Sequence, residues 1–194
     1  MSALKSRKYG IYPVTPERWH DFANLFGKKG ACGGCWCMFW RQTRAEFEQR
    51  KGEKNRRAMK YLIDNGTVPG LLAYDGDLPV GWCSVSPRES FYALERSRIL
   101  KPVDDCPVWS VVCFFIAKEY RRQGLTVALL EAAIDFARKN GAEIIEGYPV
   151  DPGKKKYVDT FAYTGLMSAF LKAGFNEVAR RSDTRPIMRF YIKI

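Results

Sequence analysis

The sequence predicts one mixed α/β domain, and three observations lead there. Between Ser110 and Tyr148, a continuous apolar run, Val111-Val112-Cys113-Phe114-Phe115-Ile116, is followed by Arg121-Arg122-Gln123-Gly124-Leu125-Thr126. A periodic segment then reaches about Asn140, and a second apolar run lies at Ile144-Ile145. That order reads as buried strand, basic turn, amphipathic helix and buried strand. Upstream, Leu71–Tyr74 and Val80–Val85 flank Asp75-Gly76-Asp77, and Asp-Gly between apolar runs is a strong hairpin signal. Finally, a chain of 194 residues with 46% apolar residues is long enough for one sizeable core and too apolar to stay disordered.

Taken in order, Tyr9, Ile11 and Val14 alternate weakly and suggest a first strand. Thr15-Pro16-Glu17 offers a capping hydroxyl, a proline suited to a first turn and an acid suited to the positive end of a helix dipole. A helix carrying Trp19, Phe22, Leu25 and Phe26 is therefore expected to end near Gly27. Thr43-Arg44-Ala45-Glu46 is a capping-box pattern, so a second helix begins there. Gly52 should interrupt it, and Asn55–Ile63 should resume as a basic, one-sided helix stopped by Asn65-Gly66. After the hairpin, Pro87–Leu100 reads as a short helix with a loop.

The helix after Gly124 puts Val127, Leu130, Ile134 and Ala137 on one face, broadened by Leu129, Ala133 and Phe136. A strand from Ala142 to about Tyr148 follows, then a polar loop with Lys154-Lys155-Lys156. Leu166–Ala173 reads as a short helix stopped by Gly174, and Phe175–Val178 and Ile187–Ile192 as closing strands. With no internal repeat or linker, residues 1–194 are expected to form a single domain.

The formal net charge is +11, which serves nucleic acid, acidic lipid headgroups or a polyanionic small ligand equally well. No segment approaches the apolar length of a membrane span. The basic start, Met1–Lys8, lacks the apolar block and cleavage site of a secretory signal. A cytoplasmic location is the expectation, with the six cysteines mostly reduced.

The basic turn is where chemistry is expected. A glycine at the mouth of a helix lets unpaired backbone N–H groups approach an anion, and the helix dipole favours negative charge there. Arg121 and Arg122 add donors suited to phosphate oxygens.

Together these features resemble the acetyl-CoA-binding core of the GNAT-type N-acetyltransferase superfamily, whose signature is Gln/Arg-x-x-Gly-x-Gly/Ala after its fourth strand. Here the signature reads Arg121 to Thr126, with Thr126 departing at the last position. Phe170-Leu171-Lys172-Ala173-Gly174-Phe175 resembles the family's late aromatic-x-x-x-Gly-Phe pattern. The resemblance spans residues 71–194 and leaves residues 1–66 as the variable acceptor side. It implies a mixed, mostly antiparallel central sheet flanked by helices, with splayed fourth and fifth strands. The pantetheine arm of acetyl-CoA would pair with the backbone of Phe114, Phe115 and Ile116. A backbone N–H there would also polarise the thioester. Gln123, Gly124, Leu125 and Thr126, with Arg121 and Arg122, would hold the pyrophosphate.

The implied reaction is direct transfer of an acetyl group, in a ternary complex, to a primary amine of a small molecule or peptide, by a monomer or homodimer. Glu146 falls where family members often place a general base, and it reads equally as a solvated or ion-paired strand residue. The family's usual tyrosine acid falls on Phe170, which has no proton to give. Tyr163 or Ser168 would substitute, or the thiolate would leave unaided. The departure keeps an alternative open: a non-catalytic CoA-sensing or basic nucleic-acid-binding module on the same fold.

Two further constellations compete. Cys32-Gly33-Gly34-Cys35 is half of a zinc motif, but no second Cys/His pair accompanies it, so no metal is expected. The same segment carries Trp36, Phe39 and Trp40, which read as plain core or as the lining of an acceptor pocket. Arg41, Arg44, Arg50, Arg56 and Arg57 make the second helical region basic, but no recognised nucleic-acid-binding motif accompanies them. Lys154–Lys156 reads as a solvated loop or as a contact for CoA phosphates or an acidic acceptor.

Overall fold

The Asp-Gly turn after Leu71–Tyr74 forms as predicted: strands β2 (Gly70–Asp75) and β3 (Leu78–Pro87) meet across it in antiparallel register. The structure, a computed structural model, describes residues 9–153 and 163–192. Five more strands complete the sheet: β1 (Gly10–Pro13), β4 (Trp109–Ile116), β5 (Ile144–Gly147), β6 (Asn176–Arg180) and β7 (Pro186–Tyr191). Their order is β1-β2-β3-β4-β5-β7-β6. Neighbouring strands are antiparallel except β4 and β5, which run parallel and therefore need a crossover. Helix α5 (Leu125–Lys139) supplies it.

The two faces of the sheet are covered differently. On one, Leu125, Leu129, Leu130, Ala133, Ile134 and Ala137 of α5 pack on Leu71, Val80, Val111 and Ile145, joined by Phe170 of α6 (Met167–Lys172). Each large apolar side chain buried there contributes about 1.5–3 kcal/mol. The other face carries α1 (Trp19–Phe26), α2 (Arg44–Arg50), α3 (Glu53–Asp64) and the short α4 (Tyr92–Glu95). Phe22 and Phe26, one turn apart on α1, pack edge-on against Trp82. A second cluster on that face gathers Trp40, Phe91, Leu94, Val112 and Tyr148.

Most predicted elements form close to their expected bounds. The Thr43–Glu46 capping box closes in both directions, and Gly52 separates α2 from α3. At the first helix the structure differs: Pro16–Arg18 is a 3-10 turn, and the α-helix starts only at Trp19. Among the described residues no helix is long and apolar enough to cross a membrane. Lys154–Lys156 lies outside the described residues.

Candidate active site

The two parallel strands stay together briefly and then part. Trp109, Ser110 and Val111 pair with Ile145, Glu146 and Gly147, and the β4–β5 ladder ends there. On its other side β4 continues along β3 to Ile116, opposite Gly81. A bulge falls where the strands part: Ser84 and Val85 face Cys113 and Val111, which leaves Val112 as the extra residue. Bulges bend a strand and re-aim its groups. Here Phe114 joins the α5-side core, while Val112 and Cys113 pack on the opposite face.

The open edge of β4 is partly occupied by the chain itself. The Phe114 amide donates to the Tyr163 carbonyl at 2.6 Å, and the Ile116 carbonyl accepts from Arg121 Nε at 3.1 Å. Backbone groups alternate sides along a strand, so Phe114 and Ile116 present theirs to the gap while Phe115 turns its own towards β3, opposite Trp82. Of the three residues expected to meet a pantetheine arm through their backbone, two face the gap and Phe115 does not.

Beyond Ile116 the chain makes a tight turn whose residues 121–124 are exposed. Arg122 has φ 59°, a left-handed conformation uncommon outside glycine. Gln123 is pinned by its side-chain amide to the Glu119 carbonyl at 2.6 Å. Gly124 caps α5 with φ 83°, and a Cβ built on it would meet nothing within 4 Å. The first N–H groups of a helix have no intrahelical acceptor, so this turn opens a positive helix end onto free space. Arg121, Arg122, Gln123, Gly124, Leu125 and Thr126 are thus gathered at one place.

Beneath the gap lies Phe170, fully buried, edge-to-face with Phe114 and Phe175 at 6.2 and 5.1 Å. A Cβ on Gly147 would collide with this ring, so only glycine lets the end of β5 close on it. Tyr163 sits at the gap, its ring edge-on to Phe39 at 6.4 Å. Burial raises its phenol above the ordinary tyrosine value, so it holds its proton at neutral pH. Ser168 is exposed on α6.

Glu146 is fully buried, and both its oxygens are engaged. Oε2 accepts from Arg189 Nε at 2.7 Å, and Oε1 accepts from Tyr148 Oη at 2.7 Å and Arg88 Nη1 at 3.2 Å. Because the Tyr148 proton goes to Glu146, Ser110, whose Oγ lies 2.9 Å from that phenol oxygen, is the donor to it. Arg189 also forks onto Asp104 at 2.6 and 3.0 Å, and Arg88 reaches Glu95 at 3.0 Å. Of the two readings open for Glu146, this geometry supports the ion-paired one. The network ties β4, β5, β7 and the segment after β3 together at the Ser110–Glu146 pair, just before the strands part. Arg88, Asp104 and Arg189 carry no local signal in the sequence. Tyr148 is more legible, since it follows Glu146 by two residues, the spacing that puts side chains on one face of an extended chain.

Trp36 and Trp40 are sent to different places. Trp36 belongs to the α1 cluster, stacked with Phe26 and Trp19, and edges a surface pocket with His20, Lys28 and Arg56. Trp40 is held in the second cluster with Phe91 and Val112. Among the described residues, no group of three or more His, Cys, Asp or Glu is placed to hold a metal. Cys37 is buried and accepts from the Trp82 indole N–H at 3.2 Å. A hydrogen bond from the Cys113 thiol is the main cause that pulls its pKa down to about 7, while burial pushes Cys35 up to about 11.

The family model for the Acetyltransferase (GNAT) family matches residues 35–153, which include the bulged strand, the basic turn and α5. No curated protein matches the chain. Solved structures share the fold at low identity. A GNAT-family acetyltransferase from Streptococcus agalactiae aligns at 13% identity and TM-score 0.57, over 99% of this chain and 100% of its own. The PaiA N-acetyltransferase from Thermoplasma acidophilum, in complex with coenzyme A, aligns at 13% identity and TM-score 0.53, over 95% of this chain and 99% of its own. A chain of the NatC complex bound to Gag peptide and CoA aligns at 10% identity and TM-score 0.54, over 96% of this chain and 99% of its own.

Proposed function

The chain belongs to the GNAT acetyltransferase family, and from that premise we propose that it transfers an acetyl group from acetyl-CoA to a primary amine, directly, in a ternary complex. The observation that carries the reading is the parting of β4 and β5 beside an open helix end. A pantetheine arm carries amide groups and pairs along a free strand edge much as a strand does. Its pyrophosphate then falls at the turn formed by Gln123 to Thr126, with Arg121 and Arg122 at its rim.

The thioester carbonyl takes the place of the Tyr163 carbonyl on the Phe114 amide, which polarises it and holds the tetrahedral oxyanion. The neutral amine attacks the thioester carbon, the carbon–sulfur bond breaks, and the Tyr163 phenol gives its proton to the departing thiolate. Glu146, committed to two guanidinium groups, sets where the strands part; the extra proton of the amine passes through water and returns to the Tyr163 phenolate. Calorimetry with acetyl-CoA and a free-thiol assay over amines, amino acids, polyamines, aminoglycosides and basic peptides test the reading. No binding at millimolar acetyl-CoA refutes it.

Two observations favour a second reading. The Phe114 amide is already bonded, and Phe170 stands where the family's tyrosine is expected. A CoA-sensing module without turnover accounts for both. Acetyl-CoA binding with no thiol release against the whole acceptor set selects it.

A further inference from the structure

We propose that the pocket beside Gln42 binds the carboxylate end of an amino acid or peptide acceptor; the inference rests on the acetyl-transfer reading above and names its substrate class. Among the described residues, six buried side-chain polar atoms lack a hydrogen-bond partner, and four of them, Trp40 Nε1, Arg41 Nε, Gln42 Nε2 and Gln42 Oε1, belong to one three-residue stretch. Buried polar groups are almost always paired, and of these three residues Gln42 is the one that lines a pocket, so its unpaired amide marks a place where a ligand completes the bonding. Gln42 is 5% exposed, yet it lines a pocket of about 380 Å³ with Thr43, Arg44, Tyr92, Ala93 and Arg96. That volume is in the range of small-molecule sites.

The chemistry of the lining selects the ligand. Arg44 and Arg96 are exposed and join no ion pair among the described residues, and the Arg96 guanidinium lies 5.3 Å over the Tyr92 ring. Arg41, next to Gln42, stacks at 4.6 Å over Phe91, next to Tyr92. Its Nη2 reaches Ser86 Oγ and the Pro69 carbonyl, and among the described residues no carboxylate pairs with it. Two guanidinium groups on the pocket and a third behind it call for an anion, since no acid is among the lining residues and the nearby Glu46 carboxylate is taken up by the Thr43 cap. Gln42 decides which anion, because Oε1 needs a donor while Nε2 needs an acceptor. An ionised phosphate supplies acceptors only. A carboxylate with an adjacent N–H, as at the end of an amino acid or peptide, supplies both. Trp40, two residues away, packs in one cluster with Val112, Cys113 and Tyr163, so this stretch joins the pocket to the parting of β4 and β5.

The test uses matched pairs: amino acids and dipeptides against their C-terminal amides, with aminoalkyl phosphonates as a third arm, in the free-thiol assay with acetyl-CoA. The amides carry the less basic amine and are the better supplied with free amine at neutral pH, so preference for the acids reports recognition. The acids should be favoured in kcat/KM, and Gln42→Leu and Arg96→Ala should each raise KM for them by about tenfold to a hundredfold with kcat and acetyl-CoA affinity unchanged. Equal use of acids and amides, preference for phosphonates, or no change in KM in the surface variant Arg96→Ala overturns the proposal. Calorimetry with N-acetyl amino acids and their amides separates the two failures. Selective binding of the acids without any acetyl-CoA binding removes the transfer reading and keeps the pocket. Acetyl-CoA binding without selectivity removes the pocket and keeps the transfer reading.

Discussion

Replacing Glu146 by glutamine separates a clamp from a general base. The carboxylate accepts three hydrogen bonds, from Tyr148, Arg88 and Arg189, at 2.7, 3.2 and 2.7 Å. An amide has one accepting oxygen, and its nitrogen would face a donor whichever way it turned. Breaking a buried ion pair by removing one partner costs about 3–5 kcal/mol. The lower end applies here, because Arg189 keeps its fork on Asp104 and Arg88 keeps Glu95 and the Leu100 carbonyl. At about 2–4 °C per kcal/mol for a domain of this size, a loss near 3 kcal/mol lowers Tm by about 6–12 °C. Scanning calorimetry measures that, and the free-thiol assay below the new transition measures turnover. A clamp leaves kcat/KM within about tenfold, whereas removing a general base costs about a hundredfold or more. An unchanged Tm with a hundredfold loss of activity would refute the clamp and restore the base.

Three further outcomes are expected. Gly124→Glu should abolish acetyl-CoA binding in calorimetry while the protein stays folded, because the left-handed backbone costs a side chain only about 1–2 kcal/mol and the new carboxylate enters the open space at the turn. Unchanged affinity would place the pyrophosphate elsewhere. Tyr163→Phe should lower kcat by about tenfold or more with acetyl-CoA affinity nearly unchanged, and the raised phenol pKa means wild-type activity shows no limb from this group near neutrality; an unaltered kcat means that the thiolate leaves unaided. Asp104, held down to about 2 from an ordinary 3.8 chiefly by the hydrogen bond from Arg189, stabilises the fold fully above the higher value, and that contribution is lost as pH falls towards the lower one. Asp104→Asn should therefore flatten the acid limb of stability between those two values, and an equal slope in denaturant titrations would sink the linkage.

What could be read from the residues follows the reach of their interactions. The Asp-Gly hairpin, the Thr43–Glu46 cap and the Arg121–Thr126 turn are local, each signalled within a few residues, and each forms. The bulge at Val112 is not local: it shows only in the register against Ser84 and Val85. The same holds for Glu146, whose partners come from Arg88, Tyr148 and Arg189, up to 58 residues away along the chain. An acidic residue on an apolar strand signals that something must compensate its charge, but not whether the compensation is a substrate or two arginines. The spacing of Trp36 and Trp40 suggests one pocket, yet left-handed residues at Ala31, Trp36 and Cys37 wind the segment so that the two indoles enter different clusters.

The gap itself constrains where affinity for a CoA ligand can come from. Parting two strands exposes backbone groups that must be paired, and the protein pairs them itself, with the Tyr163 carbonyl on Phe114 and the Arg121 guanidinium on Ile116. A pantetheine arm entering the gap therefore exchanges one hydrogen bond for another at Phe114 and gains little free energy there. The net gain has to arise at the turn, where the helix end at Gly124 faces open space and a phosphate adds charge-assisted bonds. Freeing Arg121 from the Ile116 carbonyl for that phosphate also opens the strand edge to the arm, so the two ends of the ligand help each other. Donor affinity should accordingly fall steeply with salt and respond to Arg121 and Gly124 far more than to any substitution beside Phe114.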